Sequence, residues 1–144
     1  MNYHIDVQEV QRCLRLIVEP GQVTELRALE AIVGTERRPG TFSGYFDDPA
    51  KLLDAVKRIK SAKGVYVIPN PVRPELLARS MNKARIVGKE PLTGDDGILR
   101  RRWLLIDCDP RRAAGIASSD GEHDAARQRV NEIDAYLSER GCRR

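Results

Sequence analysis

Nothing in the chain limits its possible folds as tightly as Trp103-Leu104-Leu105-Ile106-Asp107-Cys108-Asp109-Pro110. Four large apolar residues in a row, the last of them β-branched, suit a strand covered on both faces of a sheet. Side chains alternate along a strand, so Asp107 and Asp109 point the same way and Cys108 points the other way. Two carboxylates held this close repel and raise one another's pKa, and a hard divalent ion, Mg²⁺ or Mn²⁺, relieves that repulsion. Pro110 has no N–H to give a ladder and ends the strand. The competing reading is a plain turn after a strand, where Asp is common.

The 144 residues suffice for one domain with a core, so a single domain over 1–144 is expected. No apolar run approaches the ~20 residues of a membrane span, and no basic-then-apolar leader opens the chain, which makes a cytoplasmic protein the expectation. Cys13, Cys108 and Cys142 are odd in number and far apart, against both a disulfide framework and a cysteine zinc site. The formal charge of +4 permits nucleic-acid binding without requiring it. Its distribution is more informative. Between Gly97 and Arg112, arginines 100, 101, 102, 111 and 112 face only two aspartates, a local excess of +3. Carboxylates that hold a metal, bracketed by guanidinium groups, suit a polyphosphate, because the ion takes some oxygens and arginine takes others in pairs. Alternation along the strand puts Arg101 on the face of Asp107 and Asp109, and Arg111 and Arg112 follow the pair. Arg100 and Arg102 face away, where they could serve only to keep a strand edge soluble.

Along the rest of the chain, Val7, Val10, Leu14, Ile17 and Val18 predict a helix over about 6–18 capped by Asp6. Residues 22–33 fit strand or helix, with strand favoured by the bounding Pro20-Gly21 and Gly34. A hairpin loop at 35–40 leads to a strand at 41–46. Asp48-Pro49 starts a helix with Leu52, Leu53, Val56 and Ile59 as its stripe, ended by Gly64. A strand at 64–68 stops before Pro69, and a short helix covers 74–82. Residues 83–97, carrying Gly88, Pro91, Gly94 and Gly97, read as a long functional loop. The organising strand is expected over 98–108. Ser119 and Glu122 have capping-box spacing for a last helix to about Arg140, whose buried stripe is Ala126, Val130, Ile133 and Leu137. His123, alone in a first helical turn, is expected at the surface. Tyr45, Tyr66 and Trp103 can fill the core or stack on a base.

Tyr-Phe-Asp-Asp at 45–48, Gly-Val-Tyr-Val-Ile-Pro-Asn-Pro at 64–71 and Ile-Leu-Arg-Arg-Arg-Trp-Leu-Leu-Ile-Asp-Cys-Asp-Pro at 98–110 resemble the N-terminal part of the primase-polymerase catalytic domain of phage, plasmid and bacterial replication proteins. That domain belongs to the archaeo-eukaryotic primase superfamily, and the likeness runs from about residue 22 to 140. It implies an α+β fold, a partial primase-polymerase (RRM-like) sheet with flanking helices. It also implies Asp107 and Asp109 as catalytic metal ligands for Mg²⁺ or Mn²⁺, with Arg101, Arg111 and Arg112 as phosphate contacts.

The implied activity is nucleotidyl transfer, a DNA primase or polymerase acting on nucleoside triphosphates and a DNA template. A helicase domain or downstream polypeptide is the implied partner. The superfamily's later small-residue-x-His motif and third acidic strand have no counterpart before Arg144, so the resemblance implies a truncated domain, expected to be inactive alone and to expose an apolar surface or strand edge. One alternative is a metal, nucleotide or single-strand binding fragment without turnover. Another is a haloacid-dehalogenase-type phosphohydrolase, against which stands Pro110 after the second Asp.

Overall fold

The computed structural model describes residues 5–142. The chain divides into two compact units, Met1–Trp103 and Leu104–Arg144.

The first unit is α+β. Asp6 caps α1 (Val7–Ile17) by accepting from Glu9 N. Pro20 and Gly21, the latter at φ 76°, turn the chain into β1 (Thr24–Val33), and residues 34–39 return it as β2 (Gly40–Phe46). Asp48 then accepts from Ala50 N and Lys51 N, and Pro49 opens α2 (Pro49–Lys57), as the Asp-Pro pair predicts. Next come β3 (Ile59–Ser61), β4 (Gly64–Val67), a 3₁₀ helix at Pro74–Arg79 and β5 (Lys83–Val87).

These strands form one open antiparallel sheet. On one side β1 pairs with β2, which pairs with β5; on the other it pairs with β3 and then β4. A bulge interrupts β1 at Glu30, whose φ of 49° is left-handed. The extra residue shifts the alternation by one, so Leu26 and Ala28 before it and Ala31 and Val33 after it all enter the core. Phe42, Phe46 and Ala84 join them from the sheet, and Leu14, Leu52, Ala55 and Val56 from the helices. The opposite face carries the intervening residues Glu25, Arg27, Ser43, Tyr45 and Arg85. A second, smaller core of Val23, Tyr45 and Val72, with Leu76, Leu77 and Ile98, covers one end of it.

Three expectations are corrected in this unit. Helix α2 stops at Lys57, and Ile59 buries itself from β3 rather than from the helix. The stretch 83–97 is not all loop, because β5 pairs with β2 from Thr41–Val87 to Tyr45–Lys83. Gly44 makes that pairing possible: a Cβ there would strike the Lys83 carbonyl. The organising strand over 98–108 does not form. Residues 97–99 run antiparallel to 71–73, with Arg73 N donating to Gly97 O at 2.8 Å, Leu99 N to Pro71 O at 2.9 Å, and Ile98 bridging Val72. Beyond that point the facing chain is Pro69-Asn70-Pro71, where two residues lack an N–H and the ladder has no donors to continue. The Asn70 side chain takes over. Its Oδ1 accepts from Arg102 N and Trp103 N, each at 2.7 Å, and its Nδ2 donates to Trp103 O at 3.2 Å.

In the second unit, residues 104–113 have no regular secondary structure, and α3 (Asp120–Ser138) follows. The expected capping box is present, with Ser119 Oγ accepting from Glu122 N and the Glu122 carboxylate accepting from Ser119 N. No residue of α3 is buried, which corrects the expected stripe of Ala126, Val130, Ile133 and Leu137; Val130 is 45% exposed. One helix and an irregular segment offer too little apolar surface to enclose such a stripe. Among the described residues no helix is long and apolar enough to cross a membrane.

Candidate functional site

Asp107 and Asp109 lie on the irregular segment, both exposed, with Cys108 half-buried between them. Their expected placement on one face of a central strand is therefore corrected. Leu104 is 76% exposed, Leu105 91% and Ile106 42%, although their sequence is that of a covered strand. Among the described residues neither carboxylate has a hydrogen bond or ion pair, so both are free to meet a cation. Nor does any group of three or more His, Cys, Asp or Glu side chains gather as a ready metal cage among them. The donors themselves suit a hard ion, being carboxylate oxygens, but two carboxylates fill only part of the ~6 oxygen positions that Mg²⁺ requires.

The five arginines sort by unit. In the second, Arg111 is exposed without a side-chain partner among the described residues, while Arg112 Nη1 donates to Ile116 O at 2.7 Å. In the first, Arg101 lies 3.8 Å from Asp95, both at the surface. Arg100 and Arg102 converge on Glu19, at 3.1 and 3.3 Å, and the Arg102 guanidinium sits 5.2 Å from the centre of the Trp103 ring. Trp103 Nε1 donates to Ile17 O at 3.2 Å. Arg100, Arg102 and Trp103 thus fasten the chain to the end of α1, and Trp103 anchors here rather than offering a stacking face. His123 is exposed, as expected.

The sequence reading missed a polar cluster on the face of the sheet opposite α1 and α2. Glu25 is wholly enclosed, yet it is fully partnered. It receives Arg27 Nε and Nη2 at 3.0 and 2.9 Å, Ser43 Oγ at 2.8 Å and Thr93 N at 3.1 Å. Arg27 also reaches Thr93 O, and Thr93 Oγ1 donates to the Tyr45 hydroxyl at 3.1 Å. Burial alone would push the Glu25 carboxyl up, but the hydrogen bonds from Arg27, Thr93 and Ser43 outweigh it and hold the pKa below its ordinary value. The cluster tacks the 88–94 loop onto the sheet. Its signal was in the sequence: Glu25 and Arg27 two apart on a strand share one face, opposite the apolar residues that alternate with them.

No protein-family model matches the chain, and no curated protein or solved structure matches it either.

Proposed function

We propose that the chain supplies the metal-holding part of a nucleotidyl-transfer centre of the primase-polymerase kind, with Asp107 and Asp109 as the carboxylates that hold Mg²⁺ or Mn²⁺. One observation carries the reading: two exposed carboxylates, two residues apart, have no partner among the described residues to neutralise them. Two anions left bare beside Arg111 and Arg112 suit a ligand that brings both a cation and phosphate oxygens.

A bound divalent ion would supply charge neutralisation and lower the pKa of an attacking hydroxyl. The chain's own groups do the positioning. Asp107 and Asp109 orient the metal–triphosphate, Arg111 offers an unengaged guanidinium fork to phosphate oxygens, and Arg112 adds a second by releasing the Ile116 carbonyl. The incomplete donor set favours a second reading, binding of metal and nucleotide without turnover.

Calorimetry with Mn²⁺ and a nucleoside triphosphate, run beside a primer-synthesis assay, tests both. Metal and nucleotide should bind more tightly together than apart, because the triphosphate completes the ion's shell. The Asp107→Ala/Asp109→Ala double variant should lose that cooperation, and binding that survives it would remove the site. These 144 residues alone should not synthesise or extend a primer, since among the described residues two carboxylates leave most of the ion's ~6 oxygen positions unfixed by protein, and a misplacement of about 1 Å can cost ~10²-fold in rate. Template-directed synthesis by them would refute the binding-only reading.

A further inference from the structure

A second site lies within the first unit, apart from the aspartates. A cavity of about 390 Å³ opens on the face of the sheet opposite α1 and α2. Its floor is Ser43, Gly44 and Tyr45 on β2 and Arg85 and Val87 on β5; Arg79 and Ser80 from the end of the 3₁₀ helix form one wall, and Glu90, Pro91 and Leu92 the other. That volume falls in the range of ~300–1,000 Å³ for small-ligand sites.

The walls are fixed from behind. Ser80 Oγ accepts from Tyr45 N at 2.6 Å, and the far end of Tyr45 is held by Thr93. Met81 and Asn82, at φ 47° and 62°, are consecutive left-handed residues that turn the chain from Arg79 and Ser80 into β5. Asn tolerates that conformation better than most residues, but Met81 does not adopt it cheaply. Asn82 is kept there by accepting from Asp47 N and Asp48 N and donating to Asp47 Oδ1 at 2.6 Å.

The charges are loosely committed by comparison. Arg85 is paired with Glu90 through two bonds of 2.8 Å, but both side chains are more than half exposed, where such a pair contributes little. Arg79 spends one N–H on Pro91 O at 3.2 Å. Two arginines against one glutamate leave the cavity one positive charge. Val87, Pro91 and Leu92 give it an apolar side.

We propose that this cavity binds a phosphate ester, with Arg79 and Arg85 on the phosphate oxygens and Glu90 as the counter-ion that the ligand displaces. A phosphate group competes with the Glu90 carboxylate because its tetrahedral oxygens can serve Arg79 and Arg85 together, whereas Glu90 is hydrogen-bonded to Arg85, and a monoester adds a second negative charge. The apolar side receives the organic part of the ester. The phosphate can come from a free small molecule or from a nucleic-acid backbone.

The test titrates the full chain, free of divalent ions, with inorganic pyrophosphate in one arm and a ten-nucleotide oligothymidylate in the other, following backbone amide and arginine Nε–H signals by NMR. Carrying the Asp107→Ala and Asp109→Ala substitutions throughout keeps the result independent of the metal-site proposal. Shifts should centre on residues 79–80 and 85–92. Arg79→Gln with Arg85→Gln should weaken binding at least tenfold, and Glu90→Gln should tighten it severalfold by removing the competitor. Saturation by pyrophosphate identifies a free phosphate source, and much tighter binding of the oligonucleotide through the same residues identifies a backbone. Absence of shifts in both arms, binding indifferent to the arginine pair, or binding weakened by Glu90→Gln would overturn the proposal.

Discussion

Glu25 shows how a carboxylate can sit at the centre of a sheet face without weakening it. Every acceptor direction the cluster offers is used, so enclosure costs less than it would for a bare charge. Glu25→Gln replaces acceptors with an amide that cannot take both Arg27 bonds, and the loss should be about 2 kcal/mol in urea unfolding at neutral pH. The pH dependence has a definite sign. Because the folded carboxyl binds its proton more weakly than the unfolded one, the unfolded chain takes up that proton first as pH falls. The contribution is therefore complete above the ordinary glutamate value of 4.5 and lost as pH falls below it toward the folded value. Unfolding free energies measured from pH 7 to pH 3 should fall less steeply below 4.5 in Glu25→Gln than in the parent. Equal slopes would mean the cluster is not what holds the carboxyl ionised.

Two junctions carry the first unit's elements. Gly44 lets β5 approach β2, and Gly44→Ala should cost about 1–3 kcal/mol as an overpacked contact against backbone, read as a lower urea midpoint. The Asn70 side chain takes over where the ladder stops, accepting from Arg102 N and Trp103 N and donating to Trp103 O. Asn70→Ala should free residues 102–103, seen as faster amide exchange there and a red shift of Trp103 fluorescence, while β1 and β2 keep their protection. Unchanged exchange would show that Arg102 and Trp103 hold themselves through Glu19 and Ile17. The elements with local signals were legible in the sequence: capped helices at Asp6, Asp48-Pro49 and Ser119, and strands bounded by glycine or proline. What failed was non-local. Whether residues 98–108 become a strand depends on a partner with donors, and the Pro-Asn-Pro run that denies them lies about thirty residues earlier. The shift from α2 to β3 at Ile59 was hidden for a related reason, since an apolar residue at helical spacing is equally buried by a strand pairing with Val33.

At the scale of the molecule, a sheet unit with two cores is followed by a unit without buried helix residues, and the metal-binding claim rests on the second. The segment from Leu104 to Ser118 lacks a ladder or helix to protect it, so limited proteolysis should cut there first and leave the strands of residues 24–87 intact. A first cut inside β1 or β2 would contradict that order. The Asp107–Asp109 pair was legible as a carboxylate pair from spacing alone, whereas its setting was not, because an extended apolar run reads the same whether or not a neighbour covers it. Paramagnetic broadening by Mn²⁺ tests the central assignment most directly. At substoichiometric Mn²⁺, NMR signals of residues 106–111 should broaden first, Mg²⁺ should restore them, and Asp107→Ala/Asp109→Ala should abolish the effect. Broadening centred on another acidic pair, Asp95 and Asp96 or Asp47 and Asp48, or unchanged in the double variant, would contradict the account.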